Sequence, residues 1–488
     1  MAKSATRQKE LLLQNKNFNL KLNRHFENAT KNQSIRMKIF LETFGCQMNE
    51  YDSELIRSVL RSHQHTFVEN LEQAEVALLN TCAIRENAHE KIYHRLDDLK
   101  GRKRRQKNLV VGVLGCMAQN LRQELAEHAP IVDIVAGPDS YKRLPLLINS
   151  VRETGAKSFD FSLSEYETYY DIAPQRRPGI NAWIAIMRGC DNFCTFCVVP
   201  YTRGRERSRE PHNIVAEVHR IAAESFKQIT LLGQNVNSYR FEQHDFADLM
   251  QMVAEVDGIR RVRFTSPHPK DFPRKLLHTM AANPKLCKHI HLPLQAGSDS
   301  VLDRMNRTYT KQEFLDLVDE IRLIMPEASL TTDVICGFCG ETDEDFEETL
   351  DVMRRVEFDS AFTFKYSERK QTIAERKYKD DVPDEVKLQR LTRVIELQRE
   401  ISKKRNAAEI GNAFEVLVDE PSKKNPHEWL GRTDQNKGVV FWDDAVQPGD
   451  FAQVRINAAG TNTLRGTVER QNRRRLPVMA AHAECCEN

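Results

Sequence analysis

The sequence has no window approaching the ~20 consecutive apolar residues that a membrane-spanning helix requires. Its mean hydropathy of −0.57 argues against lipid as solvent. The first 35 residues are rich in Lys, Asn and Gln and hold no apolar run of secretory type. They read as a flexible leader, with an organellar presequence the weaker reading because Glu10 and Glu27 interrupt the basic character. Charge of one sign is also missing. A net +2 over 488 residues excludes a general polyanion binder, so any nucleic-acid contact must come from local patches. Such patches exist at 101–107, at 202–209 and at Arg473 to Arg475. For 101–107 a solvated loop is an equal reading. No internal repeat or low-complexity segment is present, so repeat architectures are set aside.

Eleven cysteines are present, in a chain without a secretory leader. That context argues against a disulfide framework and for a reducing, cytoplasmic setting in which clustered thiols bind metal or do chemistry. At this length two to four domains are expected.

Texture divides the chain. From Arg36 to Tyr170, the apolar runs Met37–Leu41, Val76–Leu79, Leu109–Leu114 and Ile131–Val135 alternate with amphipathic segments. This pattern predicts an α/β unit with an open parallel sheet. Glu50–Ser62 has helical periodicity, with Asn49 as its expected N-cap. A linker is expected near Asp171–Gly179, which contains Pro174 and Pro178. Six further βα units follow, with strands expected at Trp183–Met187, Ile229–Leu232, Val262–Thr265, Ile290–Pro293, Leu330–Ile335 and Ala361–Tyr366. Six units make an open, partial barrel, where eight would close a full one. Short β-rich runs at Phe414–Val418, Lys437–Trp442, Phe451–Ile456 and Leu464–Val468, punctuated by Gly, predict a small antiparallel barrel. The expected boundaries are 1–35, 36–170, 176–407, 408–471 and a tail at 472–488.

The strongest chemical signal is Gly189-Cys190-Asp191-Asn192-Phe193-Cys194-Thr195-Phe196-Cys197. Three thiolates in eight residues, placed after the first barrel strand, sit where barrel active sites lie. Soft thiolates select iron–sulfur or zinc. Electron-carrying clusters take four cysteines, and three leave one iron open. Cys46, Cys82 and Cys116 are far apart in sequence, yet each directly follows a strand candidate. In a parallel sheet all three emerge at one carboxyl edge, the crevice where such sheets bind ligands. A second cluster is expected there, with Gly45 and Gly115 allowing close approach.

C-x3-C-x2-C with an aromatic before its last Cys resembles the radical S-adenosylmethionine (SAM) superfamily. The runs Gly45-Cys46-Gln47-Met48-Asn49, Asn80-Thr81-Cys82-Ala83-Ile84-Arg85 and Gly115-Cys116-Met117-Ala118-Gln119 are similar to the N-terminal domain of its methylthiotransferases. The terminal β-rich module resembles a TRAM domain, an RNA-binding barrel, and the likeness covers nearly the whole chain after residue 36. Val198 to Glu206 and Leu232 to Asn237 look most like the branch whose substrate is N6-isopentenyladenosine beside the anticodon.

The resemblance implies two 4Fe–4S clusters and two uses of SAM. A radical formed at the Cys190, Cys194 and Cys197 cluster would activate C2 of adenine. The Cys46, Cys82 and Cys116 cluster would carry the sulfur that a second SAM methylates. It also implies a tRNA anticodon stem-loop as partner, an electron donor such as flavodoxin or ferredoxin, and a protein that delivers sulfur or clusters, with a monomeric enzyme expected. Polar groups at strand ends, Gly233, Gln234, Asn235, Ser266 and Gln295, are candidates for SAM contact or for loop anchoring. Arg203, Arg205, Arg207 and Arg209 are candidates for RNA contact, with carboxylate pairing as the alternative.

Rival readings are a threonylcarbamoyladenosine substrate, an aspartate of a ribosomal protein, or an iron–sulfur RNA sensor without turnover. Cys339 stands where the family usually has Pro, and Lys370-Gln371-Thr372-Ile373-Ala374 replaces a Pro-rich run. Cys336 and Cys339 are read as buried thiols at a strand end, and Cys287, Cys485 and Cys486 as structural or incidental.

Overall fold

The computed structural model describes residues 36–83 and 86–469. The expected leader, the tail, the Arg473–Arg475 patch, Cys485 and Cys486 lie outside the described residues. The strands Val76–Thr81 and Val110–Gly115 are buried at every position, as strands covered on both faces of a parallel sheet must be. They form the middle of a six-stranded sheet. Its edge-to-edge order is Thr66–Phe67, Lys38–Thr43, Val76–Thr81, Val110–Gly115, Ile134–Ala136 and Ser158–Asp160, all parallel. The strand order reverses between Lys38–Thr43 and Val76–Thr81, which makes that boundary a topological switch point. The two short edge strands, Thr66–Phe67 and Ser158–Asp160, are additions to the sequence reading. Two or three residues give no alternation to detect.

The helix Gln47–Ser62 turns Leu55, Ile56 and Leu60 into the core on one sheet face, where Trp183, Ala185 and Leu232 of the next domain join it. Its cap is Cys46, not the expected Asn49. The Cys46 carbonyl already accepts the amides of Asn49 and Glu50, so the turn begins three residues early. Asn49 instead donates to the Phe44 carbonyl at 2.9 Å, which tightens the loop carrying Cys46.

The central domain has the six expected parallel strands in two half-sheets. One contains Asn181–Ala185, Gln228–Leu232 and Arg261–Phe264; the other contains His289–His291, Ser329–Cys336 and Ser360–Lys365. A bridge from Val262 to Leu286 joins the halves into an open, partial barrel. Five strands close the C-terminal barrel: Ala413–Pro421, Trp429–Arg432, Gly438–Trp442, Thr463–Val468 and Phe451–Ala459. Gly438–Trp442 and Thr463–Val468 run parallel, whereas the other pairs are antiparallel as expected. Buried Arg261 and Arg263 fix this barrel by donating to the carbonyls of Arg432, Glu415, Asp434 and Thr433 at 2.6–2.8 Å. Lys437 reaches back to Asp359 at 2.9 Å. Among the described residues, no helix is long and apolar enough to cross a membrane.

Candidate active site

Cys46 and Cys82 follow the two strands that flank the switch point, and Cys116 follows the next strand along. The three are thus delivered to one edge by topology alone. Gly45 has φ +122°, and a Cβ there would stand 2.3 Å from that of Cys82. Gly115, at φ +91°, has no more room. The Cys46 thiol is drawn down to about 6, chiefly by its hydrogen bond with Cys82; burial opposes this, and Arg203 and the amides of Asn49 and Met48 assist. Burial raises the Cys116 thiol, although Arg203 Nε donates to its sulfur at 3.2 Å.

On the facing wall, Gln234 holds the second cysteine loop by accepting the Gly189 amide at 2.7 Å. Burial pushes the Cys190 and Cys197 thiols up to about 12. Arg307 Nη1 donates to the Cys194 sulfur at 3.4 Å. Buried thiols resist ionisation until a cation compensates them, and iron is such a cation. Glycines that make room and guanidiniums aimed at sulfur therefore fit two sulfur-ligated clusters. Among the described residues, no three His, Cys, Asp or Glu side chains lie close enough for one metal ion.

A single cavity of about 1150 Å³ joins the walls, lined by Cys46 and Cys82 on one side and Cys197 on the other. It continues down the barrel lumen past Ser266, Gln295 and Asp333, and ends at Lys437 of the C-terminal barrel. Ser266 and Gln295 hold positive φ on its wall. Gln234 and Asn235 are loop anchors: Asn235 donates to Asp271 at 2.9 Å, beside the Gly189 contact of Gln234. A Cβ at Gly233 would meet Met187 Cγ at 2.7 Å, so its glycine serves close packing.

The arginine run needs correction. Arg203, Arg207 and Arg209 are buried, paired with Asp52, Asp139 and Glu217 respectively at 2.8 Å, and are not free to meet RNA. Arg205 is exposed, forks onto Asp191 and lies over the Phe193 ring at 5.3 Å. Phe193 meets Tyr201 edge-on at 6.5 Å, and Arg376 donates to the Tyr201 hydroxyl at 3.0 Å. This alternation of cations and rings borders the cluster loop, and the sequence reading missed it because its members are scattered. In the run at 101–107, Lys103 reaches the Ile131 carbonyl and Asp133, while Arg102 is buried against Glu72. Cys336 and Cys339 are buried where a strand ends.

Gly45→Ala is a direct check on the close approach at Cys82. We expect the reconstituted variant to retain the iron and sulfide of one centre only, read by metal and sulfide analysis against wild type.

Fold and site together define a radical SAM protein with a second, N-terminal cysteine centre and a terminal β-barrel. Family models agree: "Uncharacterized protein family UPF0004" matches residues 38–137, "Radical SAM superfamily" 184–353, and "TRAM domain" 407–468. A protein of Porphyromonas gingivalis named tRNA-2-methylthio-N(6)-dimethylallyladenosine synthase is 48% identical over 441 residues, 88% of this chain and 95% of its own. One of the same name from Bacteroides fragilis is 48% identical over 448 residues, covering 90% and 97%. The chain belongs to this family, the radical SAM methylthiotransferases. Among solved structures, the radical SAM methyltransferase TsrM of Kitasatospora setae superposes with a TM-score of 0.52. At 13% identity, over 68% of this chain and 75% of that one, the likeness is one of fold.

Proposed function

We propose that this chain methylthiolates C2 of N6-isopentenyladenosine (N6-dimethylallyladenosine) next to the anticodon of tRNA. The observation that carries the reading is the shared cavity, which Cys46 and Cys82 of one trio and Cys197 of the other line together. The relatives' printed name supplies the substrate, and favours it over threonylcarbamoyladenosine or a ribosomal-protein aspartate. Cys190, Cys194 and Cys197 would hold one 4Fe–4S cluster, and Cys46, Cys82 and Cys116 the other. When bound, these clusters and SAM supply the carbon radical, the sulfur and the methyl group.

The chain's own work is placement. Gln234 fixes the Cys190 loop through the Gly189 amide, while Asn235 ties the next loop to Asp271. Ser266 and Gln295 offer polar atoms to SAM from the cavity wall. The enclosing walls limit water around reactive species. A target base must leave its stack to enter, which a single-stranded anticodon loop makes cheap. A flavodoxin or ferredoxin would supply electrons and a delivery protein would renew sulfur, with a cytoplasmic monomer as the working form.

Anaerobic reconstitution followed by mass analysis of the tRNA product tests the reading, and an unmodified nucleoside beside two loaded clusters refutes it.

The cation–aromatic rim at Arg205, Phe193, Tyr201 and Arg376 suits unpaired nucleotides, which stack on rings while their phosphates meet guanidinium. Base stacking on an aromatic contributes about 1–3 kcal/mol. Tyr201→Ala should therefore weaken anticodon stem-loop binding about ten-fold or more without changing iron content. Binding by wild type should weaken as salt rises. Equal affinity of the variant and wild type would remove the rim from the RNA contact.

A further inference from the structure

Arg203 ends the short helix Val199–Arg203, which begins two residues after Cys197. Its side chain leaves its own domain. Nε donates to Cys116 Sγ at 3.2 Å, while Nη2 donates to Asn49 Oδ1 at 3.1 Å and Asp52 Oδ2 at 2.8 Å. Asn49 and Asp52 lie on the helix that Cys46 caps. The other Asp52 oxygen takes Arg188 Nη2 at 2.7 Å, and Arg188 stands two residues before Cys190. One buried carboxylate beside the N-terminal cysteines thus clamps both flanks of the Cys190–Cys197 loop. Val198 also packs on Cys116 and Ala83, so the two cysteine loops share an apolar contact.

A purely structural ion pair explains only part of this. Arg207 and Arg209 are equally buried and paired, and their hydrogen bonds go to carboxylate, hydroxyl, amide and carbonyl oxygens. Arg203 adds a sulfur to its carboxylate, and its buried Nη1 has no acceptor among the described residues. Arg307 treats Cys194 in the same way at the other centre, from within the barrel.

We infer that Arg203 is a positioning residue that raises the reduction potential of the N-terminal centre and does so only while the two domains are docked. The inference rests on the reading that Cys46, Cys82 and Cys116 carry an iron–sulfur cluster. A donor and a positive charge at a ligating sulfur favour the reduced state, which carries one more negative charge. Burial keeps that field unscreened. Because the donor comes from the domain holding the other cluster, separating the domains removes it.

The test is a redox titration of the reconstituted full-length protein, followed by electron paramagnetic resonance. Wild type should show two couples, and Cys82→Ala identifies the N-terminal one by its loss. Arg203→Lys, which keeps the charge but loses the planar fork, should shift that couple to lower potential and leave the other unmoved. Asp52→Asn withdraws the neutralising carboxylate and should shift it the opposite way; it carries the test if Arg203→Lys does not fold. Arg307→Lys should move only the couple that Cys82→Ala retains. Opposite signs mark a field effect, whereas general loosening of the interface would move both variants the same way. An unmoved couple in Arg203→Lys, or shifts of equal sign in the two variants, overturns the inference. One cluster per wild-type chain would instead overturn the two-cluster reading on which it rests.

Discussion

A Cys194→Ala chain should form no 5′-deoxyadenosine from SAM under reducing conditions, whereas a Cys82→Ala chain should still form it yet make no methylthiolated product. Both losses reach the assay floor, because a cluster held by three ligands has none to spare. The selectivity follows from how the loops are built. Gln234 fixes the Cys190 loop from within the barrel through the Gly189 amide, and Asn235 ties its own loop to Asp271; neither contact passes through Cys82. The N-terminal trio is held by the sheet edge, which forms its own core with Met117, Val113 and Leu79 on one face. Either trio can therefore lose a sulfur without unfolding the scaffold of the other. Cleavage is read by chromatography of deoxyadenosine, and insertion by mass analysis of digested tRNA. Normal product from Cys82→Ala would end the division of labour between the centres.

The grouping of Cys46, Cys82 and Cys116 was legible in the sequence for a topological reason. Apolar runs followed directly by Cys at 46, 82 and 116 imply one edge of one parallel sheet, whatever the loops do between them. The six barrel strands were legible because each is a β-rich run between helical patterns. Pairing partners were not. Arg203, Arg207 and Arg209 look like an RNA patch in one dimension, but their carboxylates come from residues 52, 139 and 217. Arg203 and Arg207 turned inward because a facing domain offered Asp52 and Asp139, Arg209 because Glu217 lies on the helix that follows it, and Arg205 alone of the four turned outward. Trp429–Arg432, the missing fifth strand of the terminal barrel, is four residues long and carries no alternation of its own. The sequence pattern thus reports which edge a residue leaves from, and the burial of charge reports what meets it there.

Asp52 concentrates this argument in one side chain, and its removal should cost more than any other single change at the interface. It is fully buried and serves Arg188 and Arg203 at once. Asp52→Ala leaves two guanidiniums in a low-dielectric contact without their anion, a loss of about 3–5 kcal/mol for a broken buried pair. Denaturant unfolding at neutral pH measures it, and limited proteolysis across the 171–179 linker should show faster cutting in the variant. Burial works to raise the Asp52 carboxyl, but Arg188 and Arg203 outweigh it and hold the group below its ordinary value. The unfolded carboxyl titrates near 3.9, so the contribution is whole above about pH 4. It disappears as pH falls through the lower, folded value. Asp52→Asn should accordingly flatten the acid limb of the stability curve while leaving its neutral-to-alkaline limb parallel to wild type. An unchanged acid limb would mean that protonation of Asp52 is not what weakens the fold at low pH.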